Sequence, residues 1–203
     1  MVNGSPTLLL SMTSGVALGS ARAIRVAAVV FVAVLTAAAA QVSVPLPFTP
    51  VPLTLQPMIV LLGGAALGSR LGMSSQVLYL LAGLAGLPVF AASPLLPQGA
   101  ARLLGPTGGF LIAYPLAAFV AGWLAERGFD RRYLTSVAAM AAGLVIIFAS
   151  GLAWLTMQLT PIAGASALQT ALRTGLYPFV AVDVLKLFVA GAVLPGAWKL
   201  FGR

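Results

Sequence analysis

Residues 175–198, GLYPFVAVDVLKLFVAGAVLPGAW, are apolar enough to cross a bilayer, yet they carry two ionisable side chains, Asp183 and Lys186. About 20 residues rising ~1.5 Å each match a hydrocarbon core ~30 Å thick. Three positions apart on a helix, the two side chains share one face, where they neutralise each other or converge on a common ligand. A helix beginning near Pro178 places them roughly 8 and 12 Å inside the membrane. Each charge at that depth costs at least ~2.5–3.5 kcal/mol, so an ionisable pair there points to a site as readily as to a structural ion pair.

The rest of the chain agrees with a membrane setting. Hydrophobic residues make up 61% of the 203 positions and charged residues 7%, against about 25% charged in a soluble domain. There is no cysteine and no histidine, and the only acids are Glu126, Asp130 and Asp183. That removes the thiolate nucleophile, the imidazole base and a zinc site, so an enzyme is not expected. No GxxxxGK[ST] phosphate loop occurs, so any ATP is hydrolysed by a partner. The net charge of +8 does not indicate nucleic acid, because the basic residues stand singly between apolar runs.

Six apolar spans are predicted, at about 23–41, 56–67, 74–89, 110–125, 133–157 and 175–198, preceded by a loose tail over 1–21. No cleaved signal peptide is read there, since no positive charge precedes Arg22. The first two domain boundaries are therefore 1–21 for the tail and 22–203 for the bundle. Between spans one and two, VSVPLPFTPVPLTLQ carries prolines at 45, 47, 50 and 52, which cannot continue a helix, so an apolar loop lying against the bundle is expected. Arg70 is placed in a tight turn, GSRLGMSS. The second large loop, 91–109, contains Gln98, Arg102 and the turn-forming GPTGG, and a third spans 156–174. Small-xxx-small steps in the first span, Ala23/Ala27 and Ala33/Ala37, permit close approach of another helix.

With the amino terminus inside, Arg22, Arg25, Arg70, Arg127, Arg131, Arg132, Lys199 and Arg203 fall on one side and only Arg102 and Arg173 on the other. This bias assigns both termini to the cytoplasm and the long loops to the outside. Asp183 and Lys186 then lie in the outward half of the last span. Together with Arg102 and Arg173 they offer three cations and one anion, which suits a small ligand carrying one negative charge. Phe48, Tyr79 and Tyr177 are candidates for its apolar walls, and Gln56 stands where a polar group faces a cavity.

Four stretches carry a resemblance to a known family: VPLPFTPVPLTLQ at 44–56, GLAGLPVFA at 83–91, LLGPTGGFLIAYPLAAFVAGWLAERG at 103–128 and GLYPFVAVDVLK at 175–186. Together they make the chain, from about residue 23 to 203, resemble BioY, the biotin-binding S component of energy-coupling factor (ECF) transporters. The resemblance implies an all-α bundle of six transmembrane helices in the bacterial cytoplasmic membrane. It implies capture of biotin from outside under the first, third and fifth external loops, and no bound cofactor or metal. Its implied partners are a transmembrane T component and two cytoplasmic ATPase subunits, which alone use ATP. Asp183 and Lys186 match the acid and lysine of the family's last helix, while Gln56 and Arg102 match polar loop positions. Tyr79 and Gln98 stand in for an asparagine expected near span three. The alanine steps match the T-component contact, with Ala23/Ala27 and Ala33/Ala37 both available. Biotin offers two ureido N–H donors, a carbonyl and a carboxylate; Asp183 suits an N–H, Lys186 the carbonyl and Arg102 the valerate carboxylate, with the reversed pose also open. Two other readings of the same scaffold are an S component for another vitamin and a secondary carrier that works without ATPases.

Overall fold

A computed structural model describes residues 7–13, 17–93 and 96–201. Among them, α1 (Leu8–Thr13) leads to the long α2 (Leu18–Gln41), followed by a two-stranded ribbon, β1 (Ser43–Val44) with β2 (Leu53–Thr54). The hairpin α3 (Gln56–Leu67) and α4 (Ser69–Leu84) comes next, then α5 (Ala100–Leu104), α6 (Gly108–Ile112) and α7 (Tyr114–Ala125). The chain ends with α8 (Tyr133–Ala163), a 3-10 turn (Gly164–Ser166), α9 (Ala167–Gly175), α10 (Tyr177–Gly191) and α11 (Val193–Phe201).

Each predicted apolar span contains helix, the third ending at Leu84 and not at 89. Gly19–Gln41, Gly108–Ala125 and Tyr133–Leu200 are long and apolar enough to cross a bilayer. Prolines sit in the first turn of α3, α7 and α10, where the missing N–H is one of the unpaired donors of a helix start. Outward faces carry large apolar side chains such as Phe31, Val34, Leu116 and Val145, all exposed. That surface belongs in lipid.

The centre is α7, whose Ala117, Ala118, Ala121 and Ala125 are fully buried. It packs on α3, α4 and α8 through residues too small to hold backbones apart. A Cβ on Gly64 would lie 2.5 Å from the Ala118 carbonyl, and one on Gly72 would lie 2.7 Å from Gly64 Cα. Such close crossings replace the hydrophobic drive that helices lack inside a membrane.

Three expectations about local structure change. The GSRLGMSS segment is not a turn around Arg70: the reversal is made at Gly68 alone, with φ of +89°, and Arg70 lies inside α4. The third loop is helical. The chain continues through Pro161 to Ala163, and α9 then buries Ala167, Ala171 and Gly175, spaced four apart, along one face. The first span starts at Leu18, and within the expected tail Thr7 is buried and α1 packs on α3 and α11. Arg203 lies outside the described residues.

Glu126 accounts for the sharp reversal at Gly68. Its Oε1 accepts hydrogen bonds from the Ser69 backbone N–H at 2.8 Å and the Ser69 hydroxyl at 2.9 Å, capping the start of α4 with a negative charge. Glu126→Ala is expected to destabilise the bundle by about 1–2 kcal/mol, since it removes a charged cap that spans two helices. Thermal unfolding in detergent reads this, and Glu126→Gln should recover part of it. The neighbouring Asp130 is also committed: it accepts from the Trp198 indole at 2.6 Å, and Arg131 lies over that ring. Burial pushes the Asp130 carboxyl above its usual value, opposed by that hydrogen bond and by Arg131. The one strongly hydrophilic run in the sequence thus serves to latch helix ends together.

Candidate functional site

At the opposite end, three connections meet over a cleft. The first is the proline loop, pinned to its neighbours by Thr49 Oγ1 donating to the Thr174 carbonyl at 2.6 Å and Ser43 Oγ donating to the Ala92 carbonyl at 2.9 Å. The second holds α5 and the GPTGG turn, and the third is α9. The prolines favour extended backbone, and only the β1–β2 pairing gives them regular structure. Beneath this roof lies a cavity enclosing about 60 Å³, or about 590 Å³ when the space out to its mouth is included.

Asp183 reaches this cavity from α10 and is only 7% exposed. Lys186 lies behind it, one turn along. Its Nζ donates to Asp183 Oδ1 at 2.7 Å and to the Thr54 carbonyl of β2 at 2.6 Å. The lysine therefore neutralises the acid and ties the last helix to the roof. Two of its three donors are thus committed within the protein, and Lys186 itself does not line the cavity.

Across the cavity stands Arg102, 2% exposed. The sequence Gly99–Ala100 starts α5 so that the guanidinium turns inward, where Nη2 donates to the Ala91 carbonyl at 2.7 Å. Its Nε and the Thr107 hydroxyl are buried without a hydrogen-bond partner. A buried unmade hydrogen bond costs about 1–3 kcal/mol, so both groups are fit to hold a polar ligand. Burial pulls the Arg102 guanidinium below its usual value, but a guanidinium stays protonated in proteins.

Gln56 also lines the cavity, and its Nε2 donates to the Tyr79 hydroxyl at 2.6 Å. Tyr79 in turn donates to the Val89 carbonyl at 3.2 Å and meets Phe90 edge-on. It supports the wall from behind and does not line the cavity. The apolar walls come from Phe110, Leu111, Tyr114, Ile147, Phe148 and Phe179.

Asp183, Arg102 and Gln56 are thus brought together, with Lys186 and Tyr79 directly behind them. Gln98 and Tyr177 are not: Gln98 is exposed and donates to the Phe90 carbonyl, and Tyr177 is 62% exposed on the outer side of α10. Phe48 and Arg173 are exposed as well. Sequence reasoning passed over Phe179 and Thr107. Phe179 stands four residues before Asp183, on the same helix face, and that spacing was a usable signal.

A helical membrane bundle whose loop-roofed cavity is lined by a buried acid, a buried arginine and aromatic rings defines a polytopic membrane protein with a small-ligand cavity. The comparisons narrow that class. The sequence profile of the BioY family matches residues 9–203, and the chain belongs to the BioY family. The probable biotin transporter BioY of Pyrococcus horikoshii is 41% identical over 156 residues, 77% of this chain and 85% of that one. The biotin transporter BioY of Thermotoga maritima is 39% identical over 148 residues, covering 73% and 81%. Among solved structures, the S-component for biotin from an ECF-type ABC transporter superposes with a TM-score of 0.77, covering 92% of this chain and 100% of that one. At 24% identity this likeness speaks for the fold.

Proposed function

We propose that this chain is the biotin-binding membrane subunit, the S component, of an ATP-driven ECF uptake transporter. One observation carries the reading at the site: a carboxylate held by a lysine, and an arginine with an unspent donor, line one cavity whose remaining walls are largely aromatic and aliphatic. That arrangement suits biotin, whose ureido N–H groups need an acceptor and whose tail carries an anion. Asp183 accepts a ureido N–H, Lys186 holds Asp183 in place from behind, and Arg102 with Thr107 takes the valerate carboxylate.

Coupling to a T component and two ATPase subunits belongs to the same proposal. Of the two alanine steps, Ala23 and Ala27 are exposed, while Ala33 is buried and Ala37 packs against the core. Ala23/Ala27 is the step open to a partner helix.

The test compares equilibrium binding of biotin, desthiobiotin and biotin methyl ester to the purified protein in detergent. A charge-assisted hydrogen bond contributes about 1.5–3 kcal/mol, so the ester is expected to bind roughly ten- to a hundredfold more weakly. Arg102→Gln should erase the difference between acid and ester. Equal affinities in wild type would remove Arg102 from the carboxylate, and failure of all three compounds to bind would overturn biotin as the ligand.

A further inference from the structure

A second concavity lies far from the roofed cavity, between α2 and α4 at the end rich in arginine. It encloses about 390 Å³ and is lined by Val26, Val29 and Val30 of α2 and by Leu71, Ser74 and Leu78 of α4, with Arg22 and Arg25 at one end. From Arg22 to Val30 the groove extends about 12 Å along the helix axis. Arg70, exposed, precedes Leu71 at the same level.

Three properties decide what this groove suits. Its floor is aliphatic, and Val26 and Val30 are 58% and 44% exposed, so it takes hydrocarbon. Its cations are unspent: among the described residues Arg22 and Arg25 make no ion pair, and each of the three acids is engaged elsewhere, Glu126 with Ser69, Asp130 with Trp198 and Asp183 with Lys186. Lastly, the positive charge bias assigns this end to the cytoplasm, where the leaflet carries anionic lipid.

We propose that the groove holds one anionic phospholipid of the cytoplasmic leaflet. Arg22 and Arg25 grip the phosphate with their forked donors, and an acyl chain lies along Val26, Val29 and Leu78. The Ala23/Ala27 step is centred about 110° around α2 from the groove's mean direction, and Val26 and Val30, each three residues beyond one of the alanines, border both surfaces.

The test is native mass spectrometry of the full chain released from nanodiscs of equimolar phosphatidylglycerol and phosphatidylcholine, with matched acyl chains. Wild type is expected to retain one phosphatidylglycerol per protein in preference to phosphatidylcholine. Each arginine near an anionic lipid is worth about a fivefold preference, so Arg22→Gln with Arg25→Gln should lower it by about thirtyfold. Arg173→Gln, at the other end, should leave it unchanged. Val29→Trp, which fills the groove and keeps both arginines, should lower retention of the lipid without altering thermal unfolding in detergent. Equal retention of the two lipids in wild type would overturn the proposal, as would undiminished retention in the double variant. Displacement of the lipid by inorganic phosphate alone would also overturn it, because the groove would then contribute nothing. If the double variant instead lost only co-purification with a T component, the groove would be a protein interface and not a lipid site.

Discussion

Asp183→Asn is expected to weaken biotin binding by roughly thirtyfold to several thousandfold. The range follows from the about 2–5 kcal/mol lost when one member of a buried, hydrogen-bonded charge pair is truncated. The loss has two sources. A neutral amide gives the ligand a poorer acceptor than a carboxylate, and it leaves Lys186 with the Thr54 carbonyl as its only full partner. Lys186→Met removes the other half. It strands the Asp183 carboxylate in an apolar wall and frees β2 from α10, so it is expected to lower folding stability by about 3–5 kcal/mol as well as binding. The double variant, Asp183→Asn with Lys186→Met, separates the two roles. With no charge left to strand, most of the stability should return while binding stays lost. Labelled-biotin binding and thermal unfolding on the same preparations read both quantities. Tight binding by the double variant would make the pair a structural tie alone.

The pair itself was legible in the sequence because charge inside an apolar run is costly and conspicuous. So were the six apolar spans and the proline loop, since hydropathy and proline act over a few residues. What escaped were partnerships made across long stretches of chain. Lys186 finds Thr54 across 132 residues, and Glu126 finds Ser69 across 57; nothing local in either segment announces the match. Tyr177 illustrates a different failure. An aromatic ring near a helix start suits a membrane interface or a pocket equally well, and only the helical phase decides. Counting back from Asp183 by four reaches Phe179, which lines the cavity, whereas Tyr177, six back, falls about 120° around the helix and is 62% exposed. The helical third loop was hidden for a third reason: its Pro161 reads as a breaker, but the alanine and glycine face of α9 gains more from packing on α8 than the breaker costs.

Gly122→Val is expected to abolish the folded bundle, and Gly122→Ala to lower its unfolding temperature markedly. Gly122 lies in α7 where that helix crosses both arms of the α3–α4 hairpin. A Cβ there would come 2.5 Å from the Ser69 backbone nitrogen and 2.7 Å from the Gly64 carbonyl. These are backbone atoms that cannot rotate aside as a side chain would, so the helices must separate. Overpacking costs about 1–3 kcal/mol for added methylenes in a core; at about 2–4 °C per kcal/mol for a chain of this size, alanine alone should shift the midpoint by about 2–12 °C. Gly19 supplies the contrast, being helical and exposed with no atom within 4 Å of its Cβ position. Gly19→Ala should be neutral or raise stability by about 0.5–1 kcal/mol. The crossing matters to the ligand as well. It holds α3, which begins at Gln56, against α7, which begins at Tyr114, and both of those residues line the cavity. Biotin affinity in Gly122→Ala should therefore fall together with the unfolding temperature. A wild-type melting curve for that variant would mean that α7 and the hairpin lie farther apart than these distances allow.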